Sequence, residues 1–173
     1  MQRLLAAVVL LLSLTGCSLA PAASSKMIVI PDVPVFAPQI RNDDCGSVAL
    51  ASLLEHAGYT VSPAVIDRHI YDPLLRGSLL PDMENYAAGL GAQTRSGRGD
   101  LAWLRARLTG GVPVLVPIDM GLGIWRRPHY VVVFGFDPQS FLIHQRQGAP
   151  STMSAAELDR RWEKMGRLYL YLE

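Results

Sequence analysis

The sequence has few of the residues that build metal, nucleotide or nucleic-acid sites. Its 173 residues include two cysteines and four histidines, which are too few and too scattered for a structural zinc site. The 16 basic and 15 acidic side chains leave a formal charge of +1, which gives no electrostatic reason to expect nucleic acid or an acidic partner. The Gly-x4-Gly-Lys-Ser/Thr pattern of an ATP-binding loop is absent. We therefore predict no metal, no cofactor and no nucleic acid.

A long apolar run of the kind that stays in a membrane is also lacking, although a short one opens the chain. Residues 1–16 begin with positive charge at Arg3 and continue as an apolar run broken only by Ser13. This arrangement is typical of a signal peptide for export. The run is shorter than the roughly 20 apolar residues of a transmembrane helix. The rest of the chain is long enough for one globular domain with its own core.

The run closes with Leu-Thr-Gly-Cys17, which resembles the lipobox of bacterial lipoproteins. That resemblance implies a lipid on Cys17 and a membrane anchor through it in the bacterial cell envelope. Ser18 stands where an aspartate would imply retention in the inner membrane, so we expect the outer membrane, facing the periplasm. The alternative is an ordinary cysteine within a signal peptide. Residues 17–27 then form a flexible tether rich in small residues, and residues 28–173 form the domain.

The second cysteine, Cys45, ends a polar loop and begins a predicted helix. The Asp44 carboxylate can cap the helix start, and the helical spacing of apolar residues continues to a stop at Gly58. The helix dipole favours a thiolate at this position, whereas Asp43 and Asp44 oppose it, so the thiol needs a cationic partner. If Cys17 carries lipid, Cys45 has no disulfide partner. A functional thiol is then favoured over a buried cysteine that acts as a small hydrophobe.

His129 is the histidine with the right context to be that partner. It opens the clearest predicted strand, residues 129–136, so its ring lies at the rim of a sheet, where a general base can reach into a groove. The alternative is a rim histidine with a purely structural role. Residues 119–128, rich in glycine, precede it and can border a cleft. Within them Trp125 is either a wall for a substrate side chain or a partly buried core residue.

These two regions together resemble the C39 peptidases, which are papain-like cysteine proteases known as leader-processing domains of bacteriocin exporters. The resemblance rests on Gln39-x5-Cys45-Gly and on His129-Tyr-Val-Val-Val-x-Gly-x-Asp, and it covers roughly residues 33–173. It implies an α+β, papain-like fold in which the cysteine helix packs on an antiparallel sheet. It also implies a peptide or protein substrate.

The resemblance implies roles for four side chains. Cys45 would be the nucleophile and His129 the general base, while the Gln39 amide and the Cys45 N–H would bind the oxyanion. The family usually has an aspartate in the following strand to orient the histidine, and here that place falls on Gln145. A glutamine carbonyl can accept the imidazole N–H but brings no charge. Asp137 is better suited to capping the intervening turn.

The expected function is that of an exported, lipid-anchored cysteine peptidase that hydrolyses peptide bonds through a thiolate pair of Cys45 and His129. Because position 145 is glutamine, a catalytically weak or inactive binding or assembly module stays open as an alternative. An amidase or acyltransferase with the same Cys–His pair is the other alternative. We predict a sheet of residues 112–118, 129–136, 141–145 and 167–172, a short strand at 92–95, and helices at 64–70, 82–90, 101–108 and 154–162.

Overall fold

A computed structural model describes residues 26–37, 43–144 and 149–173. Three of the predicted site residues, Cys17, Gln39 and Gln145, lie outside the described residues. In the described part of the chain no helix combines the length and apolar character needed to cross a bilayer.

Five helices form where the apolar spacing predicts them. Three of them begin after Ser62, Asp100 and Ser154, whose side-chain oxygens accept an N–H from the first turn. These described helices are α1 (Cys45–His56), α2 (Pro63–Ile70), α3 (Leu80–Gly89), α4 (Leu101–Thr109) and α5 (Ala155–Glu163).

The predicted cap at Asp44 is wrong. Its side chain makes no capping hydrogen bond to α1, and its φ of −87° and ψ of 18° are not extended. Without the extended backbone of a usual cap, the carboxylate is not directed over the first turn. The Asp44 carbonyl oxygen instead accepts the Val48 N–H at 3.1 Å and the Ser47 hydroxyl at 2.9 Å.

Within the described ranges the strands form one seven-stranded antiparallel sheet and one small hairpin. The sheet order is β4-β9-β5-β6-β7-β8, with β1 also paired to β6, and β2 pairs with β3 in the hairpin. The strands are β1 (Ile28–Val29), β2 (Tyr71–Asp72), β3 (Gly77–Ser78), β4 (Thr94–Arg98), β5 (Val114–Asp119), β6 (Pro128–Phe136), β7 (Ser140–His144), β8 (Pro150–Ser154) and β9 (Leu168–Leu172).

The α+β class and the four central strands are as predicted, but the sheet is wider. β1, β4 and β8 join it, and the strand predicted at 92–95 lies at Thr94–Arg98. β4 and β8 are edge strands with mostly polar or small residues, and only Met153 of β8 is buried. An edge strand with so little apolar alternation carries a weak sequence signal.

Consecutive residues of β5 and of the middle of β6 are all buried. Both faces of the sheet are therefore covered, and helices lie on each of them. On one face α1 packs against β6, where Val132 and His144 are paired neighbours. On the other face Arg105 of α4 lies over the Phe141 ring at 4.7 Å. This arrangement brings the first residue of α1 to the beginning of β6.

Candidate active site

Cys45 is the first residue of α1, and its side chain is partly exposed. The glycine that follows it is closely packed. A Cβ at Gly46 would lie 2.5 Å from Met83 Cε and 3.0 Å from Ser78 Cβ. The Met83 methyl ends a flexible side chain and can move aside, whereas Ser78 Cβ leaves little room for a larger residue at position 46. Gly46 thus allows the start of α1, which carries the Cys45 thiol, to pack closely against Met83 and Ser78.

His129 lies at the beginning of β6, paired in register with Ile118 of β5. Cys45 and His129 both line a small cavity of about 20 Å³ and a wider groove of about 1050 Å³ beside it. The small cavity has room for about one water molecule, whereas the groove is as large as the largest usual ligand pockets. The fold therefore brings the predicted nucleophile and base to one cleft.

The surroundings of the Cys45 thiol favour its neutral form. Burial raises its pKa above the ordinary value, and the Asp44 carboxylate raises it further. Hydrogen bonds from the backbone N–H groups of Tyr130, Cys45 and Gly46 to the sulfur lower the pKa, but they do not outweigh burial. The helix start alone does not make a thiolate, so a base is needed to remove the proton.

Tyr130 contributes to this cleft in a way that the sequence reasoning missed. Its backbone N–H contacts the sulfur of Cys45, and its hydroxyl donates to the Ser78 carbonyl at 3.1 Å. Burial raises the Tyr130 pKa to about 12, so the phenol stays a donor at neutral pH. The side chain thereby ties the β2–β3 hairpin to the cleft. Its place next to His129 in an otherwise apolar strand was the only sequence signal.

His144 is a second residue that the sequence reasoning missed, although it lies on a predicted strand. It is 8% exposed and lines the small cavity with Cys45. Its ring stacks on Phe134 at 4.0 Å between centroids, and Nε2 lies 3.2 Å from the Val33 carbonyl oxygen. A neutral ring beside a carbonyl donates from that nitrogen. Nδ1 is then an acceptor, and it has no hydrogen-bond partner among the described residues.

Asp137 has the role in the turn that we predicted. Its Oδ1 accepts the N–H of Gln139 at 2.8 Å and that of Ser140 at 2.6 Å, and its Oδ2 accepts the Ser140 hydroxyl at 2.9 Å. These hydrogen bonds lower the Asp137 pKa. The carboxylate is thus engaged in closing the β6–β7 turn.

Two loops form the walls of the wider groove. The β2–β3 hairpin contributes residues 75–79, and the loop between β5 and β6 contributes Met120, Arg126 and Arg127. The loop between β5 and β6 borders the cleft as predicted. Trp125 fits neither of its two predicted roles, because it is largely exposed and does not line the groove.

The sequence profile of the Peptidase C39 family matches residues 34–168. The chain belongs to this family. The match spans both regions that carry the resemblance, around Cys45 and around His129, and it includes Tyr130 and His144. No curated protein matches the sequence.

Solved C39 structures share the fold. The peptidase domain of Streptococcus ComA, a bifunctional ABC transporter involved in quorum sensing, is 25% identical, with a TM-score of 0.62 over 79% of this chain and 95% of that one. A C39-like peptidase from Bacillus anthracis is 17% identical, with a TM-score of 0.70 over 86% and 98%. A double-glycine-motif protease from an AMS/PCAT transporter, in complex with the leader peptide, is 18% identical, with a TM-score of 0.63 over 81% and 91%. The predicted fold is thereby confirmed.

Stability of this C39 domain is expected to fall in acid because of His144. Burial lowers the His144 pKa to about 4, whereas the unfolded side chain titrates near 6.5. Below about pH 6.5 the unfolded chain binds a proton that the folded chain refuses, so the free energy of unfolding falls as the pH drops toward 4. The loss approaches about 3 kcal/mol for this group.

Urea unfolding from pH 7.5 to pH 4 measures this loss. Carboxylates titrate over part of the same range, so the slope is compared between the wild type and His144→Gln. The variant is expected to lose less stability over that range. His69→Gln, at an exposed histidine on α2, should keep the wild-type slope. Equal slopes for the wild type and His144→Gln would contradict a buried neutral imidazole.

Proposed function

We propose that this member of the C39 family is a cysteine peptidase that hydrolyses peptide bonds through Cys45 and His129. The observation that carries the proposal is that both side chains line one cleft, with the cysteine at a helix start and the histidine at a strand start. The family membership supports peptidase chemistry at this cleft.

In the first step the Cys45 sulfur attacks the carbonyl carbon of the scissile bond. Because burial keeps the thiol protonated, the His129 imidazole takes the proton as the sulfur–carbon bond forms. The carbonyl oxygen becomes an oxyanion, for which the Cys45 N–H and the Gln39 amide are the proposed donors. Gln145 is the proposed group that orients the imidazole.

The tetrahedral intermediate then collapses to a thioester. The carbon–nitrogen bond breaks as the imidazolium of His129 gives its proton to the leaving amine. Water attacks the thioester with His129 again acting as the base, which releases the acid product and restores the thiol. No metal and no organic cofactor enters these steps.

The groove favours an extended peptide as the substrate. It is lined by residues of two loops and of the start of β8, and Cys45 and His129 lie within it. One C39 relative was solved in complex with a leader peptide, which supports peptide binding in such a groove. We propose residues 28–173 as the peptidase domain. A lipid on Cys17 and the tether of residues 17–27 would anchor it in the outer membrane, facing the periplasm.

A peptide library tests the proposal. The intact chain is incubated with peptides of mixed sequence, and mass spectrometry identifies new termini in the products. Cleavage is expected with the wild type and not with Cys45→Ala purified in the same way, which controls for contaminating proteases. Transfer of the acyl group to an added amine, without net hydrolysis, would indicate an acyltransferase instead. Cleavage by neither chain would favour the binding or assembly module.

A further inference from the structure

The loop between β5 and β6 presents a large apolar tip to solvent. Leu122, Ile124 and Trp125 are 83%, 90% and 79% exposed, and none of them lines the groove that the same loop borders. Single exposed apolar residues are common on protein surfaces, but three on one short loop indicate a binding surface. The proposed peptide cleavage does not use them.

The base of this loop holds the tip in place. The Asp119 carboxylate is 2% exposed and accepts the N–H groups of Gly121 and Arg127, each at 2.9 Å. The Met120 N–H donates to the Arg127 carbonyl at 2.9 Å. A Cβ at Gly121 would collide with the Trp125 carbonyl oxygen, so the two ends of the loop are tightly packed against each other. The exposure of the tip therefore follows from the fixed conformation of the loop.

The β2–β3 hairpin repeats this arrangement on the same groove. The Asp72 carboxylate accepts the N–H groups of Leu74 at 2.7 Å and Leu75 at 3.2 Å. Leu74 is 92% exposed and lies outside the groove lining, whereas Leu75 is exposed within that lining, and Arg76 follows them. Each loop thus has a carboxylate that holds the turn, exposed apolar side chains beyond it, and arginine next to them.

The groove lining, which does not include Asp72 and Asp119, carries a positive charge. Among the described residues that line the groove, Arg76, Arg126 and Arg127 are basic and Asp43 alone is acidic. Asp43 lies 3.5 Å from Arg76 in an ion pair, which leaves a surplus of positive charge at Arg126 and Arg127. Nearby anionic groups are therefore attracted to this rim although the whole chain carries a formal charge of only +1.

We propose that these two loops dock the domain on an anionic bilayer surface. Exposed tryptophan and aliphatic side chains enter the interfacial layer, and adjacent arginines contact anionic headgroups. A peptide in the groove would not cover the apolar tip, because Leu122, Ile124 and Trp125 lie outside the groove lining. Docking would bring the cleft to the membrane surface, and it does not depend on turnover.

Trp125 reports on this docking directly. The other two tryptophans are shielded: Trp162 is fully buried, and Trp103 stacks on Tyr169 at 3.9 Å. Intact chain carrying Cys45→Ala is mixed with phosphatidylglycerol vesicles or with phosphatidylcholine vesicles. With the anionic vesicles we expect a blue shift of the emission and quenching by brominated lipid. Both changes should disappear in Trp125→Phe.

Charge variants test the role of the arginines. Arg126→Gln with Arg127→Gln should require roughly tenfold to thirtyfold more anionic lipid for the same quenching. Arg68→Gln, at an exposed position on α2, should leave the titration unchanged. A lipid on Cys17 holds the chain on vesicles in all variants but does not bury Trp125.

The proposal is overturned if Trp125 emission stays unchanged while the chain sediments with the vesicles, or if the chain does not bind them. It is also overturned if the emission responds to a peptide substrate but not to lipid, since the tip would then belong to the peptide site. A shift that depends on protein concentration alone would assign the tip to contact between two copies.

Discussion

A chain carrying His129→Ala is expected to hydrolyse peptides roughly 10³-fold more slowly than the wild type, because removal of a general base typically costs 10²- to 10⁴-fold. The reason is specific to this cleft. Burial and the Asp44 carboxylate raise the pKa of the Cys45 thiol, so few molecules carry a thiolate at pH 7. Without the imidazole the thiol proton has no acceptor in the attack.

Alkylation of Cys45 by iodoacetamide separates loss of the base from loss of fold. At pH 7 labelling is expected to be slower in His129→Ala than in the wild type, and to recover as the pH rises toward the pKa of the thiol. His69→Ala should react and cleave as the wild type does. Thermal unfolding of each variant checks the fold. Equal labelling and cleavage in His129→Ala and wild type would remove the histidine from the mechanism.

The candidate site was predictable for the residues that lie in a recognisable local sequence pattern. Cys45 stands at a sequence boundary between a polar loop and a helix, and His129 opens an apolar strand. Their contribution to one cleft could be inferred from the family resemblance. His144 was not predictable in this way, since its role depends on its pairing with Val132 and on the distant Val33 carbonyl. Neither contact has a local pattern.

The same distinction applies to the fold. β5 and the middle of β6 were predictable because they are buried on both faces and have continuous apolar sequences. The edge strands β4 and β8 are mostly polar or small. They belong to the sheet because they pair with β9 and β7, and their own sequences do not predict that pairing. Both roles predicted for Trp125 placed its side chain against a partner, either a substrate side chain or the core. Its exposure instead results from the conformation of a loop that Asp119 holds through hydrogen bonds.

Helix α5 connects the core to the loop before His129. It packs against β5, and the Arg161 guanidinium donates to the Asp119 carbonyl at 3.0 Å. Lys164, directly after the helix, lies 3.5 Å from the Asp119 carboxylate. Because Asp119 holds the base of that loop, the position of α5 affects both the rim of the groove and the start of β6. The anchor of α5 in the core is Trp162.

Trp162→Ala is therefore expected to lower the free energy of unfolding by about 3–5 kcal/mol. The indole is fully buried, and its Nε1 donates to the Leu168 carbonyl at 2.6 Å, so the variant leaves both a cavity and an unpaired acceptor. Urea unfolding at pH 7 measures the change.

The matched control is the same substitution at the exposed tryptophan. Trp125→Ala should change the free energy of unfolding by less than about 0.5 kcal/mol, and Trp162→Phe should cost less than Trp162→Ala because it refills part of the cavity. If both alanine variants unfold at the same urea concentration, α5 is not fixed by its tryptophan. Another contact would then have to fix α5, and through it Asp119 and the loop before His129. If they differ as expected, the buried Trp162 stabilises the domain, whereas the exposed Trp125 on the loop before His129 does not.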